Sequence, residues 1–179
     1  QGDLTRYLIR PFPYYWIKFI EEIPYRILQG TYGIIIMIIF TVFFGKFISL
    51  TRDPIAILAT IIMAIMAFFI MFTMKMNLGL SAFWFKDSRG AFELVYIMII
   101  VLSGGVIPLF LFPKIMQIVA YLLPFAYTAF FPILALQGQL TYLQLFQAVG
   151  MQVFWLGFFV VLNRIMWSRG IKEFTSHGQ

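Results

Sequence analysis

The stretch VLSGGVIPLFLFP, residues 101–113, decides the fold of this chain. It lies in an uncharged run, residues 94–113, and about 20 apolar residues are enough to cross a ~30 Å hydrocarbon core as a helix. The run is interrupted by Ser103-Gly104-Gly105 and then by Pro108. Inside a bilayer, irregular backbone is tolerated only where protein or a water-filled cavity supplies its hydrogen bonds. We predict that the helix breaks there to start a re-entrant hairpin, and the alternative is a Gly/Pro kink in a continuous helix.

The composition is that of an integral membrane protein. The chain is 62% hydrophobic and 11% charged, whereas soluble domains are nearer half apolar and a quarter charged. It has no Cys, which excludes disulfides, thiolate metal sites and Cys nucleophiles, and its one His, His177, lies in a polar tail. The basic residues flank apolar runs and form no stripe, so the +6 charge does not favour nucleic-acid binding. The phosphate-binding loop of ATPases is absent, so we expect this chain not to be an enzyme and to bind no cofactor itself.

The predicted fold class is all-α, a polytopic transmembrane helix bundle with four spans and an outer re-entrant helical hairpin. The residues 115–163 carry no charge, and Pro124, Pro132 and residues 137–139 divide the part before the last span into segments too short to cross. We predict two short helices, 113–123 and 125–136, which dip into the outer leaflet. The transmembrane domain is 29–167, with spans at about 29–50, 54–76, 91–112 (broken) and 142–167.

The distribution of Lys and Arg predicts the orientation in the membrane. If the N-terminus is cytoplasmic, the inner segments hold ten of the 13 Lys and Arg residues, and the outer segments hold only Lys46, Arg52 and Lys114. Both ends of the chain are therefore expected in the cytoplasm, with 168–179 as a cytoplasmic tail. The chain begins with Gln1 and has no signal-peptide pattern, and we expect further residues upstream.

Two sets of side chains are candidates for helix contacts. Ala56, Thr60 and Ala64 repeat at four-residue spacing, which lets helices approach closely, either between subunits or within one subunit. Gln144, Gln147 and Gln152 share one side of the last span. They are possible path-lining residues, and the alternative is hydrogen bonding between helices.

The residues 1–28 mix basic, acidic and aromatic side chains. The segment is consistent with an amphipathic helix on the membrane surface. It is equally consistent with a docking element for a cytoplasmic partner.

Four motifs resemble a known family. Residues 2–11, GDLTRYLIRP, match a cytoplasmic G-[ED]-L-D-x-x-L-x-R-P element, and Ala82-Phe83-Trp84 precedes the third span. The segment 123–132, LPFAYTAFFP, resembles an outer element that begins P-F-A and ends F-P. Residues 167–178 resemble the ending W-x-R-G-x-x-x-[YF]-x-S-x-G. Two positions depart from what the family often has: Thr5 stands in place of Asp, and Phe174 stands in place of Tyr. The chain resembles the permease subunits of ATP-binding-cassette (ABC) transporters of the type-2 exporter superfamily, in particular the small bacterial six-span subfamily, over its whole length and in order.

The resemblance implies a location in the bacterial cytoplasmic (inner) membrane and about two further spans before Gln1. It also implies a second permease subunit, as a homodimer or heterodimer, and a separate nucleotide-binding ATPase subunit that holds ATP and Mg²⁺. Segment 2–26 would dock on that ATPase through Asp3, Arg6 and Arg10. The docking contact at position 5 is not implied, because Thr5 stands where the family often has Asp. The re-entrant turn would act as a gate, with Ser103, Gly104, Gly105, Pro108, Pro124 and Pro132 as its residues.

We interpret the chain as a permease subunit of an ATP-driven exporter of a hydrophobic or amphiphilic substrate. One alternative is a secondary transporter or channel fragment whose broken helix binds substrate at the midplane. No acidic residue lies inside a predicted span to carry a proton or sodium ion, which disfavours this alternative. A membrane assembly subunit without transport activity is the other alternative.

Overall fold

The computed structural model describes residues 7, 11–45, 50–85 and 89–176. Within these ranges the regular structure is entirely helical, as the sequence predicts. The described residues divide into two compact units, those up to residue 45 and those from residue 50 onward. The α-helices are α1 (Tyr14–Phe44), α2 (Pro54–Leu80), α3 (Arg89–Leu102), α4 (Lys114–Leu122), α5 (Phe130–Leu136) and α6 (Tyr142–Ser176), and short 3-10 helices cover Ser81–Phe83, Leu109–Leu111 and Pro124–Thr128.

The first unit contains α1, which joins a charged half to an apolar half in one helix of 31 residues. In the charged half, Lys18 pairs with Glu21 at 2.8 Å and Arg26 pairs with Glu22 at 2.7 Å, at the i,i+3 and i,i+4 spacings that support a helix. Helix α1 continues through Pro24 and begins well before the predicted start of the first span at residue 29. It buries no residue within the unit, so its apolar half presents a surface suited to lipid or to other membrane helices.

Three helices are long and apolar enough to cross a membrane: Tyr14–Phe44, Pro54–Phe83 and Tyr142–Lys172. The predicted third span is represented by α3, whose 14 residues rise about 21 Å, less than the ~30 Å of the hydrocarbon core. Helix α3 ends at Leu102, where the sequence predicts the interruption. The described part of the chain therefore has three helices of full-span length rather than the four predicted.

Helices α2 and α6 of the second unit pack side by side and run in the same direction. Near their beginnings, Thr51 lies against Gly138, with a Cβ built on that glycine 3.0 Å from the Thr51 Cβ. Further along, Gln152 donates to the Met63 carbonyl at 2.9 Å. Contacts between Asn77 and Asn163 and then between Phe83 and Gly170 follow in the same order. We call the two ends of this pair the Thr51 end and the Phe83 end.

This parallel arrangement constrains the intervening residues 84–141. The chain leaves α2 at the Phe83 end and enters α6 at the Thr51 end, so this segment must travel back along the pair once. Helix α3 alone is too short for that distance. The return path therefore includes the interruption and the short helices that follow it.

The start of α2 is fixed by local capping. The Asp53 carboxylate accepts the Ile55 N–H at 3.0 Å, and Pro54 occupies the first helical position, where a missing N–H does no harm. The Thr51 N–H donates to the Leu136 carbonyl at 2.9 Å, which ties this start to the end of α5. The short helices are thereby anchored to the Thr51 end.

Candidate functional site

The interruption after α3 begins with a glycine that no other residue replaces easily. The Ser103 N–H makes the last helical bond, to the Ile99 carbonyl at 3.0 Å. Gly104 then adopts φ +74, the left-handed region that side chains with a Cβ disfavour. The next N–H, of Gly105, donates to the hydroxyl of buried Ser103 at 3.3 Å. A side chain at the interruption thus provides a hydrogen-bond partner for one of the backbone N–H groups there.

Gly104 also gives α5 room to approach. A Cβ on Gly104 would lie 2.9 Å from the Phe130 ring, 3.2 Å from the Phe130 Cβ and 3.3 Å from Leu109. Phe130 and Leu109 belong to one buried cluster with Ala120 and Ala126. The interruption and the short helices therefore pack as one body.

The backbone after Pro108 is satisfied by a side-chain amide. Pro108 precedes a 3-10 turn in which the Leu111 N–H donates to the Pro108 carbonyl at 3.0 Å. The side-chain nitrogen of Gln117, on α4, donates to the carbonyls of Phe110 and Phe112 at 3.2 and 2.7 Å. One glutamine thus caps two carbonyls that lie outside the α-helices, and backbone at membrane depth requires such partners.

The segment between α4 and α5 is buried. Pro124, Phe125, Ala126 and Tyr127 are all buried in the 3-10 helix Pro124–Thr128, which Pro124 opens. The Tyr127 hydroxyl donates to the Tyr121 carbonyl at 2.8 Å, and its ring stacks on Phe131 with centroids 4.7 Å apart. This segment is the P-F-A element singled out in the sequence, and it contacts both α2 and α6.

Gln152 joins three elements at one point. Its side chain is fully buried on α6, and its nitrogen donates to the Met63 carbonyl of α2 at 2.9 Å and to the Tyr127 carbonyl at 2.7 Å. An amide nitrogen has two hydrogens, so both are used. Gln152 therefore holds the short helices against the α2–α6 pair and makes the interhelical hydrogen bonds that the sequence left as one alternative.

Two asparagines lock α2 to α6 nearer the Phe83 end, and the sequence analysis missed both. Asn77 donates to the Phe159 carbonyl at 3.0 Å and accepts from Asn163 at 2.8 Å, and both asparagines are buried. Solitary amides inside otherwise apolar spans were the available signal, because buried amides in lipid need partners.

The Phe83 end is closed by an aromatic side chain on a glycine. The Phe83 ring lies against the backbone of buried Gly170, where an added Cβ would clash with the ring, and it meets Trp167 edge-on at 6.3 Å. Phe83 belongs to the A-F-W motif, and Trp167 and Gly170 belong to the W-x-R-G motif. The structure thus brings two separate family motifs into direct contact.

At the other end, α5 closes with a glycine cap. Gly138 adopts φ +70, its N–H donates to Ala135, and the Gln139 N–H donates to the Leu134 carbonyl at 3.0 Å. These bonds form a Schellman cap, which satisfies the last carbonyls of the helix. Pro132 is buried in the first turn of α5, where a helix needs no backbone donor.

The other predicted site residues differ in burial and do not form one group. Ala56 is buried against α6 residues in the core of its own unit, whereas Ala64 is exposed. The Thr60 hydroxyl donates to the Ala56 carbonyl at 2.8 Å. Gln144 and Gln147 are exposed, and Gln144 accepts the Thr141 N–H at 2.9 Å near the start of α6. The predicted docking residues Asp3, Arg6 and Arg10 lie outside the described residues.

Among the described residues, no group of three His, Cys, Asp or Glu side chains is placed to hold a metal ion. The polar side chains brought together are amides and hydroxyls, and their hydrogen-bond partners are backbone groups or other polar side chains. These contacts thus fix how the helices of a polytopic membrane protein pack against one another.

The chain belongs to the ABC-2 transporter family. The family described as ABC-2 family transporter protein matches residues 1–178, almost the whole sequence. No curated protein and no solved structure matches the chain significantly. The match confirms the resemblance read from the four motifs, and the protein is a multi-pass membrane permease component.

Proposed function

We propose that the chain is the permease subunit of an ATP-driven exporter in a bacterial cytoplasmic membrane, with ATP hydrolysis supplied by a separate nucleotide-binding subunit. Family membership supports the transport role. The parallel packing of α2 and α6, with an interrupted return segment between them, is the observation that carries the mechanism.

The Phe83 end is the cytoplasmic end in this proposal. Helix α6 has 35 residues and is about 52 Å long, so it extends well beyond a ~30 Å core. Its last part carries Arg164, Arg169 and Lys172, and α2 carries Lys75 near the same end. Positive charge of this kind favours the cytoplasmic side. The Thr51 end, with the capped short helices, then lies at the outer leaflet.

The gate in this proposal moves as one body. The interruption and the short helices share a buried cluster, so they do not shift independently. Gln152 attaches this body to α2 and α6, and Phe83 on Gly170 ties the α2–α3 connection to the far end of α6. A push from an ATPase on the connection between α2 and α3 would reach the outer gate through these rigid helices.

The cargo in this proposal is a hydrophobic or amphiphilic molecule. The side chains around the interruption that face outward are apolar, among them Val106, Ile107, Phe110 and Leu111. Such a surface suits a molecule that partitions into the outer leaflet. The subunit would work as a dimer, with a second permease copy or a homologous subunit.

The test is reconstitution, in proteoliposomes, of the permease with the nucleotide-binding subunit proposed as its partner. A fluorescent amphiphile should move between leaflets only with ATP. The control is the same ATPase with the lysine of its phosphate-binding loop replaced, which leaves assembly intact. ATP-independent movement of equal rate in both preparations would contradict the proposal.

The docking residues have their own experiment. Reversing the charge of Arg6 and Arg10 together should reduce co-purification of the ATPase several-fold, because the partner contacts would become repulsive. Reversal of Lys114 is the matched control, since that residue is predicted on the outer side. Co-purification that falls equally in both variants, or in neither, would argue against docking through residues 2–26.

A further inference from the structure

The side chain of Gln152 has one polar atom that the chain does not use. Both of its N–H groups are taken by the carbonyls of Met63 and Tyr127. Its Oε1 is buried and accepts no hydrogen bond from any described residue. Rotating the amide would bring Oε1 against two carbonyl oxygens, so the two donated bonds fix its orientation.

A second unused polar atom lies three residues further along α6. The indole Nε1–H of Trp155 is buried and donates to no described residue. Residues three apart on a helix are neighbours on one face. Trp155 also packs against both core clusters along the α2–α6 pair, one of which contains Met63 and Tyr127, so its ring borders the region that Gln152 occupies.

The two atoms are complementary, because one accepts a hydrogen bond and the other donates one. A buried polar group left without a partner costs on the order of 1–3 kcal/mol. A hydroxyl is the smallest group that donates one hydrogen bond and accepts another, and buried waters take this role in protein interiors.

We propose that Gln152 and Trp155 form a binding site for a single hydroxyl group inside the bundle. The hydroxyl donates its hydrogen to Gln152 Oε1 and accepts the Trp155 Nε1–H. It comes from a water molecule or from the alcohol headgroup of an amphiphile. The proposal does not depend on ATP-driven transport, and the site lies next to the attachment point of the short helices.

The hydrogen bond to Trp155 is measurable in the full-length subunit. Ultraviolet resonance Raman spectra report hydrogen bonding at the indole nitrogen, and subtracting the spectrum of a Trp155→Phe variant isolates one of the four tryptophans. The substitution removes the N–H, keeps an aromatic ring and leaves both Gln152 bonds in place. The protein is placed in nanodiscs of phosphatidylcholine, whose headgroup has no hydroxyl, with and without added monoacylglycerol.

A hydrogen-bonded signal in phosphatidylcholine alone supports the site with water as the source. A signal that becomes hydrogen-bonded only with monoacylglycerol supports the site with an alcohol headgroup as the source. A free indole signal under both conditions overturns the proposal.

The bridge itself is tested with Gln152→Leu, which removes the acceptor and should move the Trp155 signal toward the free position. An unchanged signal would show that Trp155 has a separate partner and would overturn the proposal. If this variant does not fold, the wild-type spectra in the two lipid compositions decide.

Discussion

Replacing Gly104 by alanine should destabilise the protein by about 2–5 kcal/mol. The residue has φ +74, and a left-handed conformation costs a residue with a Cβ about 1–2 kcal/mol. The new Cβ would also lie 2.9 Å from the Phe130 ring and 3.2 Å from the Phe130 Cβ. Overpacking of this kind costs about 1–3 kcal/mol.

The neighbouring atoms have little freedom to relax. The Phe130 ring is buried and stacks on Tyr121 with centroids 6.1 Å apart, and its Cβ is fixed to the backbone of α5. Relief of the clash therefore requires α5 to move away from the interruption. That movement would also disturb the cluster that Phe130 shares with Leu109.

Gly105→Ala is the matched control. Gly105 is exposed, its φ lies outside the left-handed region, and a Cβ there would approach only the Ser103 hydroxyl, at 3.3 Å. Both substitutions restrict the unfolded chain equally, so that contribution cancels between the variants. We expect a loss below about 1 kcal/mol for the control.

The assay is the free energy of unfolding in lipid bicelles, measured by steric trapping on wild type and both variants. The difference between Gly104→Ala and Gly105→Ala should be at least about 1 kcal/mol. Equal stability of the two variants would refute the argument that the left-handed turn and the close approach of α5 hold the interruption in place.

Two further substitutions test the contacts along α2 and α6. Gln152→Leu should cost about 1–2 kcal/mol in the same assay, since the hydrogen bonds to the Met63 and Tyr127 carbonyls are lost, and exposed Gln147→Leu should be near neutral. A cost for Gln147→Leu as large as for Gln152→Leu would contradict the assignment. Gly170→Ala should cost about 1–3 kcal/mol through its clash with Phe83, and Phe83→Ala should cancel part of that loss in a double-mutant cycle. Gly157→Ala, which meets open space, is the control, and additive Gly170 and Phe83 effects would refute the contact.

The interruption and the short helices could be predicted because Gly and Pro act through local backbone geometry. The sequence places a break after Leu102 and short helices at 113–123 and 125–136. The structure has α3 ending at Leu102, α4 at Lys114–Leu122 and α5 at Phe130–Leu136. These features depend on the φ range of Gly and on the missing backbone N–H of Pro, and both can be recognised from a single residue.

The start of the first helix was harder to predict for a physical reason. Pro24 and the charges of residues 18–26 suggest a separate surface segment. In the structure α1 runs through them, because local ion pairs support the helix and a single proline removes only one helical bond.

The hydrogen-bond partners of individual amide side chains could not be predicted from the helical spacing of the residues. Gln144 and Gln152 share a predicted face, yet only Gln152 is buried, because the docking of the Pro124–Thr128 segment covers that one position. Likewise Ala56 is buried while Ala64, on the same predicted stripe, is exposed. Helical periodicity identifies a face, but tertiary contacts decide which part of that face is covered.

The measurement that tests the account most directly is the sidedness of three single cysteines. The chain has no native cysteine, so Phe85→Cys, Gln139→Cys and Ser168→Cys can each be labelled alone in intact and permeabilised cells. All three positions are exposed. If the interrupted segment returns the chain across the membrane, a membrane-impermeant thiol reagent should label position 139 in intact cells, and positions 85 and 168 only after permeabilisation. Labelling of positions 139 and 168 from the same side would contradict the account.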